Sequence, residues 1–486
     1  MSQEKSSSSL ARNALGLVHV FFQSASQMSP TGTVVSGLTA IEAYALGSMP
    51  LAIVLALIAS FLGANTLIQF SKRISSAGGY YTWVAHGSGP YAGAFSGWLY
   101  ILYQGLNAPA LVLFFGYVVR ALLEVGLGIT LASWTWWPFS MVAALFVWVI
   151  AYRGIKQTLV YSMIVGIIEI IVLCVLAGLL INKAGSHNTL AVFTPHFSTA
   201  GWSGIGLGMI FGLFSFAGYG ASATLGEEAK SPGRTISQAV IFSLAIVGFV
   251  LILVGYATTV SWGAGKMGSY ASLPMPLMNL IHSVLSSSWL FWFWILTILI
   301  INSTLTAIIA ITNAQVRVLF ALGRDQIIVP QALGQTHPTY KTPNRAIHTQ
   351  SLIGILIMTI IGFWLGSFSG FLFLAELVTL SNLIIHIMAN ISLTRYYHRL
   401  GQFRIIVHGV LPVLASVMFL FPIYFSIFPV PNFPDNIPPY LVVGWLVLGA
   451  VLLGRIVRRS PERLQAVGLI TSETPDQVEA HPGIPG

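Results

Sequence analysis

Along its 486 residues the chain repeats one pattern, a stretch of about twenty mostly apolar residues followed by a short polar turn. Such a stretch crosses a bilayer core as an α-helix, the one open-chain conformation that satisfies every backbone donor and acceptor where there is no water. Twelve spans are read, at residues 15–38, 49–70, 92–122, 134–152, 159–181, 204–226, 236–260, 289–319, 347–365, 370–394, 405–427 and 440–456. Composition supports this. Only 7% of residues are charged, against about 25% in soluble domains, so soluble multi-domain enzymes, disorder and coiled coils are excluded together. The single cysteine, Cys174, rules out an intrachain disulfide. The net charge of +9 comes from basic residues scattered between apolar runs, which suits a membrane surface and argues against a nucleic-acid partner.

Charge placement tests the number of spans. With the N-terminus inside, every one of the 22 Lys and Arg residues falls on the inner side except Arg120, Lys183 and Lys266. One span more or fewer would scramble this segregation, so the positive-inside rule predicts a multi-pass protein of a cell membrane with both termini cytoplasmic. The first apolar run is too long for a signal-peptide core and is expected to be retained as a span.

Two spans carry interruptions. The first contains Ser29-Pro30-Thr31-Gly32-Thr33, and the sixth contains Phe214-Ser215-Phe216-Ala217-Gly218-Tyr219-Gly220. Proline removes a helix donor and clashes with the preceding turn. Because the breaks lie five spans apart, a second five-span unit is inverted relative to the first. Paired interruptions of this kind point to a transporter's central site.

Three stretches resemble a known family. They are Arg73-Ile74-Ser75-Ser76-Ala77-Gly78-Gly79-Tyr80-Tyr81-Thr82-Trp83 after span 2, Gly226-Glu227-Glu228-Ala229-Lys230-Ser231-Pro232-Gly233-Arg234 after span 6, and Asn313-Ala314-Gln315-Val316-Arg317 through Arg324-Asp325 at the end of span 8, followed by His337-Pro338 and Thr342-Pro343. In order and spacing they are similar to the amino acid–polyamine–organocation transporters. The resemblance implies an all-α integral membrane protein of the LeuT type, a five-plus-five inverted repeat with helices 1 and 6 broken. The expected divisions are a cytoplasmic tail at 1–14, repeats at 15–182 and 202–396, two further helices at 405–456 and a cytoplasmic tail at 457–486.

The same resemblance implies a small-molecule substrate, an amino acid, held between the broken spans. It puts carboxylate contacts on Thr31, Gly32 and Thr33, and ammonium contacts on carbonyls near Phe214 and Ala217, within the stretch Phe214, Ser215, Phe216, Ala217 and Gly218. Phe214 is the expected gating aromatic. The physics of helix ends agrees: a half-helix beginning near Gly32 offers free amides and a positive dipole end, and one ending near Phe216 offers free carbonyls. In span 3, Gln104 and Asn107 are candidate pocket contacts and Tyr103 a weaker one. Span 10 carries Glu376, Thr379, Asn382 and His386, which fit either a water-lined cavity or a polar seam between helices. No carboxylate falls where spans 1, 3 and 6 would face a substrate side chain, and Gly220 stands where some carriers of cationic substrates have an acid. A neutral or hydrophobic amino acid is therefore favoured.

No cofactor is expected, only an ion gradient. Glu169, deep in span 5, is the candidate proton-coupling residue, the alternative being a permanently protonated side chain bonded to a carbonyl of span 1 or 8. Sodium near Thr306, with Ser303 and Thr304 as neighbouring oxygens, is the second option. Symport, amino acid or amine exchange, and a sensor that binds without transporting share these motifs. An enzyme is disfavoured, since there is no His-Glu-x-x-His and the histidines are dispersed.

Overall fold

The computed structural model describes residues 16–74, 78–154, 159–225, 232–325, 328–337, 339–340 and 342–459. Ser75 to Ala77, Gly226 to Ser231, Pro338 and the tails expected at 1–14 and 457–486 lie outside the described residues, apart from 457–459. Sixteen α-helices follow in order among the described residues: α1 Leu17–Met28, α2 Pro30–Ala45, α3 Met49–Ser71, α4 Tyr80–Ser88, α5 Pro90–Leu127, α6 Trp136–Arg153, α7 Leu159–Ala184, α8 Trp202–Phe216, α9 Pro232–Trp262, α10 Met267–Ala271, α11 Pro276–Val284, α12 Trp289–Asp325, α13 Asn344–Leu365, α14 Ser367–Arg399, α15 Leu411–Phe425 and α16 Pro438–Arg459. No strand occurs among them.

Among the described residues eleven stretches are long and apolar enough to cross a membrane, and the first, Val20–Ser71, runs through 52 residues and covers the second expected span and most of the first. The chain is a multi-pass membrane protein. Burial sorts the helices: the most apolar windows of Trp202–Ser222 and Ser367–Arg399 are 83% buried, while that of Pro438–Arg458 is only 17% buried. Helices α8 and α14 are therefore central, and α16 leaves its apolar side chains to lipid.

The core is made by close approach of small residues, the usual means of packing helices where lipid removes the hydrophobic drive. A Cβ added at Gly37 of α2 would lie 2.3 Å from Ser215 Oγ of α8, and one at Gly212 would lie 2.7 Å from Ala56 of α3. Pro109 sits inside α5 and cannot donate to the carbonyl four residues back, Gly105. Gln350 of α13 replaces that donor, its Nε2 lying 3.2 Å from Gly105 O.

Both expected interruptions are present, with changed geometry. Span 1 breaks at one residue: Ser29 adopts a left-handed conformation, φ 47°, and α2 begins at Pro30. The expected start near Gly32 is corrected, because proline's fixed φ suits the first helical position, where its missing N–H costs nothing. Span 6 stops being α-helical at Phe216 and continues as a 3-10 helix over Ala217–Leu225. Within the stretch expected to offer carbonyls to the ammonium group, Phe214 O also accepts the Ala217 amide, which leaves it one lone pair.

Candidate functional site

The two breaks face each other. A Cβ at Gly218 would fall 2.7 Å from the Met28 backbone nitrogen, so only glycine lets the 3-10 segment lie this close to the end of α1. Between the breaks is a small cavity of about 20 Å³, lined by α1, α2, α5, α8, α12 and the 3-10 segment. Of the residues expected there, Gly32, Thr33, Asn107, Phe214, Ser215, Ala217 and Gly218 line it. Thr31, Gln104 and Phe216 are buried nearby and do not line it. Gln27, Ser29, Ser36, Phe114 and Thr304 line it without having been picked out as substrate contacts. Their signal was weak, since each is one polar or aromatic residue in an apolar helix.

The cavity has unused hydrogen-bonding capacity. Gln27 Oε1 and Thr304 Oγ1 are buried and have no hydrogen-bond partner among the described residues. Buried polar atoms are nearly always paired, so two orphans on one cavity wall mark where a polar guest would be held. On the opposite wall Phe214, half-buried, meets Phe371 of α14 edge to face, with centroids 5.9 Å apart, and Phe371 lies 5.0 Å from Phe114.

The first turn of α2 is already partly occupied. Pro30 has no N–H, the Thr31 amide donates to Glu169 Oε2 at 3.1 Å, and the Thr33 amide donates to Ser29 O at 2.7 Å. Neither acceptor takes the Gly32 amide between them. Thr33 Oγ1 turns back to Met28 O.

Glu169 reaches this point from α7 and is buried. Its Oε2 also accepts the Ser303 hydroxyl of α12 at 2.7 Å, and Ser303 Oγ lies 2.7 Å from Ser29 Oγ. One carboxylate oxygen thus joins span 5, the break in span 1 and span 8. The alternative of a Glu169 bonded to a carbonyl of span 1 or span 8 is corrected: its partners are an amide and a hydroxyl. Thr306 stands apart, its hydroxyl bonded to Asn302 O of its own helix at 2.8 Å. Glu169, Ser303 and Thr306 border a second, larger cleft of about 450 Å³ between α1, α7, α9 and α12. That cleft is mostly apolar apart from residues such as Glu169, Asn302, Ser303 and Thr306, and its rim residues Val18, Ile167 and Phe242 are about half exposed, so it opens sideways toward lipid.

Among the described residues no group of three or more His, Cys, Asp or Glu side chains could hold a metal ion.

The sequence is similar to those of known permeases. A family model described as amino acid permease matches residues 19–454. The branched-chain amino acid permease BcaP of Bacillus subtilis is 26% identical over 64% of this chain and 67% of its own. BcaP of Lactococcus lactis is 24% identical over 75% and 79%. The low-affinity putrescine importer PlaP of Escherichia coli K12 is 25% identical over 72% and 75%.

Proposed function

From the premise that the chain belongs to the amino acid permease family, a family of transporters and not enzymes, we propose that it is a secondary carrier of a neutral or hydrophobic amino acid, coupled to protons through Glu169. The observation that carries this reading is the facing pair of broken helices, with two orphaned polar atoms in the cavity they enclose. In this reading the substrate carboxylate takes the Gly32 amide, at the positive end of the α2 dipole. Its ammonium group takes the open lone pairs of the carbonyls around Phe214 and Ala217. The aromatic wall of Phe114, Phe214 and Phe371 meets an apolar side chain. A cavity of about 20 Å³ holds no more than a water molecule, so the site must open to admit its guest.

A branched-chain substrate is consistent with the names of the two BcaP relatives and with this wall. The putrescine importer among the relatives keeps an amine substrate, and with it exchange, as the second reading. The basic residues gathered on the α1 side support a cell-membrane location with both termini in the cytoplasm.

Counterflow of labelled leucine in proteoliposomes tests the transport reading. A carrier accelerates uptake when unlabelled leucine is trapped inside. Uptake without such acceleration indicates a channel, and binding without uptake indicates a sensor; either result refutes the proposal.

A further inference from the structure

His386 of α14 lies on the α1 side of the cavity and is fully enclosed by the protein. Its Nδ1 is 2.9 Å from Asn382 O, one turn back on the same helix. A carbonyl only accepts, so Nδ1 carries the proton and Nε2 is left as an acceptor. Two tyrosine hydroxyls meet that single nitrogen: Tyr219 at 2.8 Å and Tyr80 at 3.0 Å. Tyr80 is the first residue of α4, directly after Gly78-Gly79, and Tyr219 belongs to the 3-10 segment that continues α8. The three rings come from parts of the chain up to 306 residues apart and share no other function assigned above.

We propose that His386 is a latch, holding the 3-10 half of span 6 to α14 through the Tyr219 hydroxyl, with the Tyr80 hydroxyl of α4 ready to take its place, and closing the candidate site beside α1. Two features separate a latch from a fixed structural tie. Among the described residues of span 6 the segment carrying Tyr219 is 3-10 and not α-helical, and a 3-10 stretch within a helix has poorer hydrogen-bond geometry and is a recurrent hinge. The two hydroxyls also compete for one lone pair, so either tyrosine can leave while the other keeps the nitrogen satisfied. The segment can then swing without stranding a buried acceptor. This inference does not depend on which substrate the cavity takes.

The test uses the full-length protein with Cys174→Ser and a reporter, Gly220→Cys. A Cβ at Gly220 meets only Tyr80 Cε2, at 3.7 Å, an ordinary contact. The readout is the labelling rate by a hydrophilic maleimide, without substrate. Tyr219→Phe and His386→Leu should each raise the rate about fivefold or more, the shift that loss of one hydrogen bond produces. His386→Gln, whose amide oxygen can occupy the place of Nε2, should return it to the parent value. If His386→Leu fails to fold, Tyr219→Phe, which removes a single oxygen, carries the test, while Tyr80→Phe, which removes the competing hydroxyl, should not raise the rate. Unchanged labelling in all folded variants overturns the latch, as does a His386→Gln rate matching that of His386→Leu.

Discussion

The backbone amide of Thr31 donates to the side-chain oxygen Oε2 of Glu169 across 3.1 Å, tying the broken end of α2 to the middle of α7. Placing a charged side chain at bilayer depth costs about 2.5–3.5 kcal/mol on insertion scales. The amide, the Ser303 hydroxyl and the positive end of α2 offset part of that. A substrate carboxylate arriving at Gly32 would place a second anion at the same helix end, where like charges disfavour one another. Binding of substrate and of a proton at Glu169 should therefore favour each other. Glu169→Gln keeps an acceptor for Thr31 and Ser303 and removes the charge. Uptake by this variant should lose its dependence on external pH while substrate binding persists. A wild-type pH profile would remove Glu169 as the coupling residue and turn attention to sodium near Thr306.

The crowding around Gly32 makes a sharp steric prediction. A Cβ at Gly32 would lie 2.3 Å from Ser29 Oγ and 3.3 Å from Thr304 Oγ1. Gly32→Ala must displace both side chains lining the cavity, and Gly32→Val must do so by more. Substrate affinity should fall at least tenfold in Gly32→Ala, or about 1.4 kcal/mol, and be undetectable in Gly32→Val, read by isothermal titration on monodisperse protein. Full affinity in Gly32→Val would dismiss the cavity as the binding site.

Phe214 shields the cavity through its edge-to-face contact with Phe371. Phe214→Ala should weaken binding and transport together, whereas Phe214→Trp preserves an aromatic cover and much of both. Equal losses in the two variants would mean that the position demands one packed shape and covers nothing.

Gln350 repairs the gap that Pro109 leaves in α5. Gln350→Leu removes the donor to the half-buried Gly105 O and should destabilise the protein by about 0.5–1.5 kcal/mol. Pro109→Ala supplies an N–H to the same carbonyl, so in that background Gln350→Leu should cost much less. Thermal melts of the four proteins measure the coupling. Additive effects would show that the Gln350 contact does not compensate the proline.

The sequence made the spans legible because each bilayer crossing needs an uninterrupted apolar run, and made the breaks legible because Pro30 and the Gly218/Gly220 pair disrupt such runs. What it hid were relationships between helices. Ser303 and Thr306 share a face of α12, and nothing local decides which of them meets Glu169; the register across the bundle gives the contact to Ser303, while Thr306 bonds its own helix. Gln27, Thr304 and Phe114 come to the cavity only through the crossing of α1, α5 and α12. His386 was visible as a polar residue in span 10, but Tyr80 lies 306 positions away and only folding joins the two.

The central claim is that the two broken helices recognise the charged ends of an amino acid. The most direct measurement is the thermal stabilisation of the purified protein by leucine, leucinamide, N-acetyl-leucine and isoamylamine, which differ only in which end is retained or capped. Stabilisation grows with occupancy of the folded state. Capping either end strands a helix terminus, at about 1–3 kcal/mol. The account predicts a clear rise in melting temperature with leucine and little or none with the other three at equal concentration. Equal stabilisation by leucine and its capped analogues would contradict it.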